Sequence, residues 1–143
     1  MGRLLMRYPR ILAAFDRARA VAVREFPRVA DVALGIDASA GTKGRAYGYC
    51  EVDGSAIVLA PRLEKEPGHR IDGVIRHEAG HAIDGKYDIS TIERRLGGGL
   101  ERLKPEARAD EIASRLWGTD LRYDLEDVQT TGPGGPRPRY LPR

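Results

Sequence analysis

The segment IRHEAGHAID, residues 75–84, constrains this chain more than any other, because it holds two of the three histidines at helical spacing. Residues four apart lie one above the other on a helix, so His77 and His81 can direct ring nitrogens at one point. Glu78 is rotated by about 100° from His77 and can reach a water beside a metal ion without becoming a ligand. Two imidazoles do not complete a zinc site, so a third protein ligand must come from elsewhere in the chain.

The composition is that of a single globular domain. The chain has 143 residues, 41% of them hydrophobic and 31% charged, and no apolar run in it approaches the length of a membrane span. One cysteine, Cys50, excludes an internal disulfide and a cysteine-rich zinc knuckle. We therefore expect a cytoplasmic protein without a membrane partner, with one domain over residues 1–128 and a basic tail rich in proline and glycine over residues 129–143.

Positive charge is concentrated at the two ends of the chain. The net charge is +3, yet residues 29–132 are acidic overall, while residues 1–28 and 133–143 are rich in arginine. Basic ends can contact nucleic acid, but no nucleic-acid-binding motif and no interleaved aromatic residues accompany these arginines. Nucleic acid is therefore a partner that the sequence permits and does not favour.

Hydrophobic periodicity predicts an α+β domain in the order helix, three strands, helices. An amphipathic pattern predicts the N-terminal helix over residues 8–26. The three strands are predicted at residues 29–37, 45–52 and 55–61. Asp53-Gly54 separates the last two and is typical of a tight hairpin turn, so we expect one small three-stranded sheet that is mostly antiparallel.

Three helices are predicted after the sheet. Asp72 is expected to cap the helix that carries the histidines, and Ser90 with Glu93 forms a capping box for a short second helix. Pro105 suits the first position of a third helix, PEARADEIASRLW, which ends at Gly118.

This third helix offers the best candidate for the missing ligand. Glu106 and Asp110 fall within or beside its apolar stripe, and two acids on a buried face are costly unless a cation receives them. Zinc could be bound by Glu106, while Asp110, one turn further on, could accept the outer N–H of a ligating histidine. Pairing of both acids with arginines at the edge of the stripe is the alternative.

Other residues compete for the third ligand position. Asp84 follows His81 by three residues and is the main rival, although it would have to fold back within one turn. By residue type, Cys50 and His69 are further candidates. His69, in the connection upstream of the histidine helix, is also a candidate for stabilising the oxyanion of a hydrolytic reaction.

The combination of His77-Glu78-Ala79-Gly80-His81 with Glu106-Ala107-Arg108-Ala109-Asp110 resembles the two-helix signature of gluzincin metallopeptidases. The second segment is similar to that of small soluble ImmA/IrrE-type peptidases and of membrane-bound housekeeping zinc proteases. This resemblance implies one zinc ion per chain, bound by His77, His81 and Glu106, with Glu78 as catalytic base and Asp110 supporting a ligand histidine. It also implies a zincin-like fold in which the strand at residues 56–60 is the sheet edge that borders the cleft.

The function that the sequence favours is therefore that of a hydrolase, a zinc-dependent peptidase acting on peptide or protein substrates through a zinc-activated water and Glu78 as general base. The alternative is a zinc-containing module that binds nucleic acid or protein without catalysis. Such a module has no need of Glu78 beside His77, which favours the enzyme.

Overall fold

The computed structural model describes residues 6–42 and 47–118, which form four α-helices and one three-stranded sheet. The helices are α1 (Pro9–Glu25), α2 (Gly68–Lys86), α3 (Ile89–Leu96) and α4 (Pro105–Trp117). The strands are β1 (Ala33–Ile36), β2 (Gly48–Cys50) and β3 (Ala56–Leu59). The predicted α+β class is confirmed. The predicted tail at residues 129–143, and the end of the predicted domain after residue 118, lie outside the described residues.

Helix α2 lies at the centre of the described structure. It packs against α1 on one side and α4 on the other, and it also contacts β2 and β3. The fully buried side chains of Phe26, Leu63, Ile75 and Ile83 belong to this core. Because α2 is in contact with almost every other element, its position and rotation about its own axis determine where the site residues lie.

Prolines mark the helix starts better than the predicted acidic caps do. Pro9 and Pro105 begin α1 and α4, as expected for a residue that lacks an N–H and has a helical φ. In contrast, the predicted cap at Asp72 is wrong. Helix α2 already begins at Gly68, directly after Pro67, and the Asp72 carboxylate accepts a hydrogen bond from Arg17 at 3.1 Å.

The capping box predicted for α3 is also wrong. The N-cap is Asp88, whose carboxylate accepts the backbone N–H of Thr91 at 2.8 Å. The Glu93 carboxylate instead accepts the backbone N–H groups of Leu100 and Glu101, at 2.8 and 3.1 Å. Glu93 thereby holds the chain that follows the glycines at residues 97–99 and leads into α4.

The sheet is mixed rather than mostly antiparallel. Its order is β1-β3-β2, with β2 and β3 antiparallel through the hairpin and β1 parallel to β3. The hairpin turn determines the direction of β2 against β3, but β1 has no tight turn and joins the other side of β3. The expectation that residues 56–60 form a sheet edge is therefore wrong, because β3 is the central strand. Within the described residues, β1 and β2 are the edges.

None of the helices within residues 6–42 and 47–118 is long and apolar enough to cross a lipid bilayer. The cytoplasmic location expected from the sequence stays a prediction.

A glycine allows α2 and α4 to approach closely. A Cβ atom at Gly80 would lie 2.2 Å from the carbonyl oxygen of Ala109, in the backbone of α4. No side chain fits at this distance, so the two backbones are in direct contact. This contact lies one residue before His81 and sets the spacing between the two helices that carry the candidate ligands.

Replacing Gly80 by alanine should therefore separate α2 from α4. We expect Gly80→Ala to lower the free energy of unfolding by about 1–3 kcal/mol or more, since the added methyl group meets backbone rather than a flexible side chain. Urea denaturation measures the change. The matched control is Gly68→Ala on the same helix, where an added Cβ meets nothing within 4 Å. The free energy of unfolding of that variant should equal the wild-type value or exceed it by less than about 1 kcal/mol. An equal decrease in the free energy of unfolding of both variants would contradict the packing argument.

Candidate metal centre

Helices α2 and α4 bring three potential metal ligands together. His77 and His81 lie on the same face of α2, with ring centroids 4.8 Å apart. Glu106, in the first turn of α4, places one carboxylate oxygen 2.9 Å from Nε2 of His77 and the other 3.2 Å from Nε2 of His81. The ligand atoms of the three residues all lie within 4.8 Å of one another, so this group could hold a metal ion.

Hydrogen bonds link the Glu106 carboxylate to both imidazoles. Burial opposes the charged form of Glu106, but hydrogen bonds with His77 and His81 outweigh burial and hold the pKa of Glu106 far below its usual range. For His77, burial lowers the pKa, whereas the hydrogen bond with Glu106 raises it. The nearby charges of Glu78 and Asp110 act in the same direction, so the pKa of His77 ends above its ordinary value. The carboxylate of Glu106 is thereby kept in its charged form, which is the form that binds a cation.

Asp110 lies next to this group, one turn after Glu106. Its side chain is only 5% exposed, and its charge contributes to the raised pKa of His77. The Nδ1 atom of His77 is buried and has no hydrogen-bond partner within the described residues. Asp110 acts on His77 through its charge, without a hydrogen bond at Nδ1, and its predicted support of a ligand histidine stays a prediction.

Glu78 is buried beside the three candidate ligands and reaches the wall of a cleft. The residue is 4% exposed, and it lines the cleft together with His81. Burial, and then the charge of Glu78, raise the pKa of the Cys50 thiol to about 12. Cys50 is therefore a neutral thiol near Glu78 and lies outside the group of three ligand residues.

The cleft has a volume of about 430 Å³ and three walls. One wall is α2, the second is the first turn of α4, and the third is the end of β2 with the start of the hairpin turn. Two glycines allow the backbone of the hairpin to contact that of α2. An added Cβ at Gly54 would lie 2.5 Å from the carbonyl oxygen of Ala82, and one at Gly85 would lie 2.6 Å from that of Val52.

Asp84, the rival third ligand, has a different partner. Its carboxylate accepts a hydrogen bond from Nε of Arg108 at 2.9 Å, which links α2 to α4 at the cleft. The sequence analysis assigns no role to Arg108. The spacing of residues within α2 and within α4 could not reveal this partner, because the contact joins two helices.

His69 is not brought to the group. It lies exposed in the first turn of α2, eight residues before His77, which corresponds to a rise of about 12 Å along the helix. The oxyanion-stabilising role considered for His69 is therefore not supported by its position.

Comparisons with protein-family models, with curated proteins and with solved structures find no match for this chain. The resemblance to gluzincins therefore depends on the two motifs alone and stays a prediction. The geometry by itself establishes a group with two imidazole nitrogens and one carboxylate, beside a cleft with a buried glutamate. That donor set suits divalent zinc and other transition metals better than magnesium or calcium, which prefer oxygen ligands.

The ligand set can be tested by metal content. We expect about one metal ion per chain after incubation with zinc and removal of excess, and loss of that metal in Glu106→Ala, because Glu106 contacts both histidines. Asp84→Ala should retain the metal, because Asp84 is bonded to Arg108. Mass spectrometry of metals measures both, with circular dichroism to show that each variant is folded. If Glu106→Ala retained the metal and Asp84→Ala lost it, the third ligand would be Asp84 instead of Glu106.

Proposed function

We propose that this chain is a zinc-dependent peptidase with one catalytic zinc ion per chain and a peptide or protein substrate. The observation that carries the proposal is the position of Glu78, a buried acid that lies next to His77 in sequence and shares the cleft wall with His81. A purely structural metal site has no use for an acid in that position, whereas peptide hydrolysis requires one.

The residues present fit zinc. His77, His81 and Glu106 would bind it through two imidazole nitrogens and one carboxylate oxygen, a set found in catalytic zinc sites that keep an open position. The buried Nδ1 of His77 beside Asp110 suits a ligand histidine whose outer N–H faces an acid. When bound, zinc supplies Lewis acidity, which polarises a scissile carbonyl group and makes water more acidic at neutral pH.

The chain's own contribution to the reaction centres on Glu78. Its carboxylate takes one proton from the water that attacks the scissile carbonyl carbon, and it later delivers that proton to the nitrogen of the leaving amine as the C–N bond breaks. Burial at the cleft wall limits access of bulk water to this carboxylate and holds it beside the ligand histidines.

A substrate has a strand edge to pair with at the cleft. Strand β2 is an edge of the described sheet, and Cys50 with the two residues after it lines the cleft. An extended peptide could therefore add to β2 through backbone hydrogen bonds and pass across the metal site. This assignment replaces β3, which has strands on both sides.

The alternative function, a binding module for nucleic acid, finds little support in α1. Arg17 pairs with Asp72 at 3.1 Å, and Arg19 pairs with Asp16 at 3.3 Å. These arginines are used within the chain instead of forming a uniform basic face. The basic tail lies outside the described residues.

The proposal predicts that Glu78→Gln separates metal binding from catalysis. Glutamine has nearly the same shape but cannot accept the proton, so the hydrolysis rate should fall by about 100-fold or more while the zinc content stays near one per chain. Hydrolysis of a peptide library by the zinc-loaded protein measures the rate.

Glu51→Gln is the matched control, because Glu51 is an exposed acid of the same cleft with no place in the proposed proton transfer. It should keep most of the activity. Full activity in Glu78→Gln would show the mechanism to be wrong.

A further inference from the structure

The charged residues that line the cleft are mostly acidic. Glu51, Glu78 and Asp84 each carry a carboxylate, and among the residues that line this cleft in the described structure Arg108 is the one permanent cation. A positively charged side chain is unexpected in a cleft whose other charged residues are acidic. The hydrogen bonds of Arg108 indicate what it contributes there.

Two of the three nitrogens of Arg108 are engaged within the chain. Nε donates to Asp84 at 2.9 Å, and Nη1 donates to the backbone carbonyl of Leu103 at 2.9 Å. Nη2 has no hydrogen-bond partner within residues 6–42 and 47–118, and the side chain is 20% exposed. A guanidinium is a rigid planar fork, so the two bonds also fix the third arm. Arg108 lines the cleft and therefore contributes an N–H donor of fixed orientation to its wall.

We propose that Arg108 binds a backbone carbonyl oxygen of the peptide substrate through Nη2. This inference rests on the proposed peptidase function and deepens it, since it identifies which part of a substrate the cleft recognises. Arg108 is a substrate-binding residue in this scheme, while Glu78 keeps the proton transfer.

The ion pair with Asp84 selects a neutral carbonyl over a free carboxylate. Asp84 already balances the charge of Arg108, and Glu51 and Glu78 make the rest of the cleft lining repel anions. A carbonyl oxygen is a dipole that accepts a hydrogen bond without bringing a second negative charge. The cleft should therefore accept internal segments of a chain as well as chain ends, which is the behaviour of an endopeptidase.

The test measures binding rather than turnover. The probes are two mixtures of hexapeptides with an N-terminal fluorescein and randomised sequence, one with a C-terminal amide and one with a free carboxylate. Fluorescence anisotropy with zinc-loaded Glu78→Gln protein gives the Kd of each mixture. We expect the amide mixture to bind at least as tightly as the carboxylate mixture, and Arg108→Gln in the same background to weaken both by about tenfold or more.

Asp84→Asn is the control for a structural role. Both substitutions remove the ion pair between α2 and α4, but asparagine keeps an oxygen that can accept the Nε–H and so hold the Arg108 donor, which only Arg108→Gln removes. Asp84→Asn should keep the binding of the amide mixture and tighten that of the carboxylate mixture several-fold, because the charge of Arg108 is no longer balanced. Equal weakening in the two variants, with an equal loss of melting temperature, would show that Arg108 only holds the helices together.

Other outcomes also decide against the inference. Binding unaffected by Arg108→Gln, no binding of either mixture, or a clear preference for the carboxylate mixture that depends on Arg108 would each overturn it. Failure of the peptidase proposal looks different. In that case peptides bind in a manner that depends on Arg108, but protein with an intact Glu78 does not cleave them.

Discussion

The contact between Gly80 and the backbone of Ala109 is the constraint on which the rest of the site depends. His77 and His81 could lie on one face of any helix, but a carboxylate from a second helix reaches them only if the two axes are close. Backbone contact at Gly80 provides that closeness, and the bond between Asp84 and Arg108 joins the same two helices further along. The candidate ligands, the buried acid and the cleft are all consequences of this packing.

The electrostatics of the candidate site explain how its three side chains come together. Two imidazoles and a carboxylate in a largely buried position would be costly if each were left alone. Glu106 places one oxygen on each histidine, so the three groups stabilise one another through hydrogen bonds. Because the three ligand atoms lie within 4.8 Å of one another, binding of a metal ion would require little rearrangement of the backbone. The group is therefore preorganised.

Local patterns predicted much of this structure, whereas relations between distant segments could not be read from the sequence. The spacing of His77 and His81, the proline at the start of α4 and the acids on its inner face each depend on a single helix and are found where expected. The position of β1 beside β3 depends on how two segments separated by 20 residues meet. Periodicity carries no information on that choice. Likewise, Arg108 acquires its role only through Asp84 on another helix.

The two glycines between the hairpin and α2 restrict how this sequence can change. Gly54 has a φ of 76°, and its missing side chain leaves room for the carbonyl of Ala82, while Gly85 leaves room for that of Val52. A side chain at either position would displace the turn from the helix, so both positions require glycine. Their exposed neighbours Asp53 and Ser55 carry no such restriction from packing. Sequence changes at the hairpin should therefore be concentrated in those neighbours. Insertions in the turn should be excluded, because no space remains between the turn and α2.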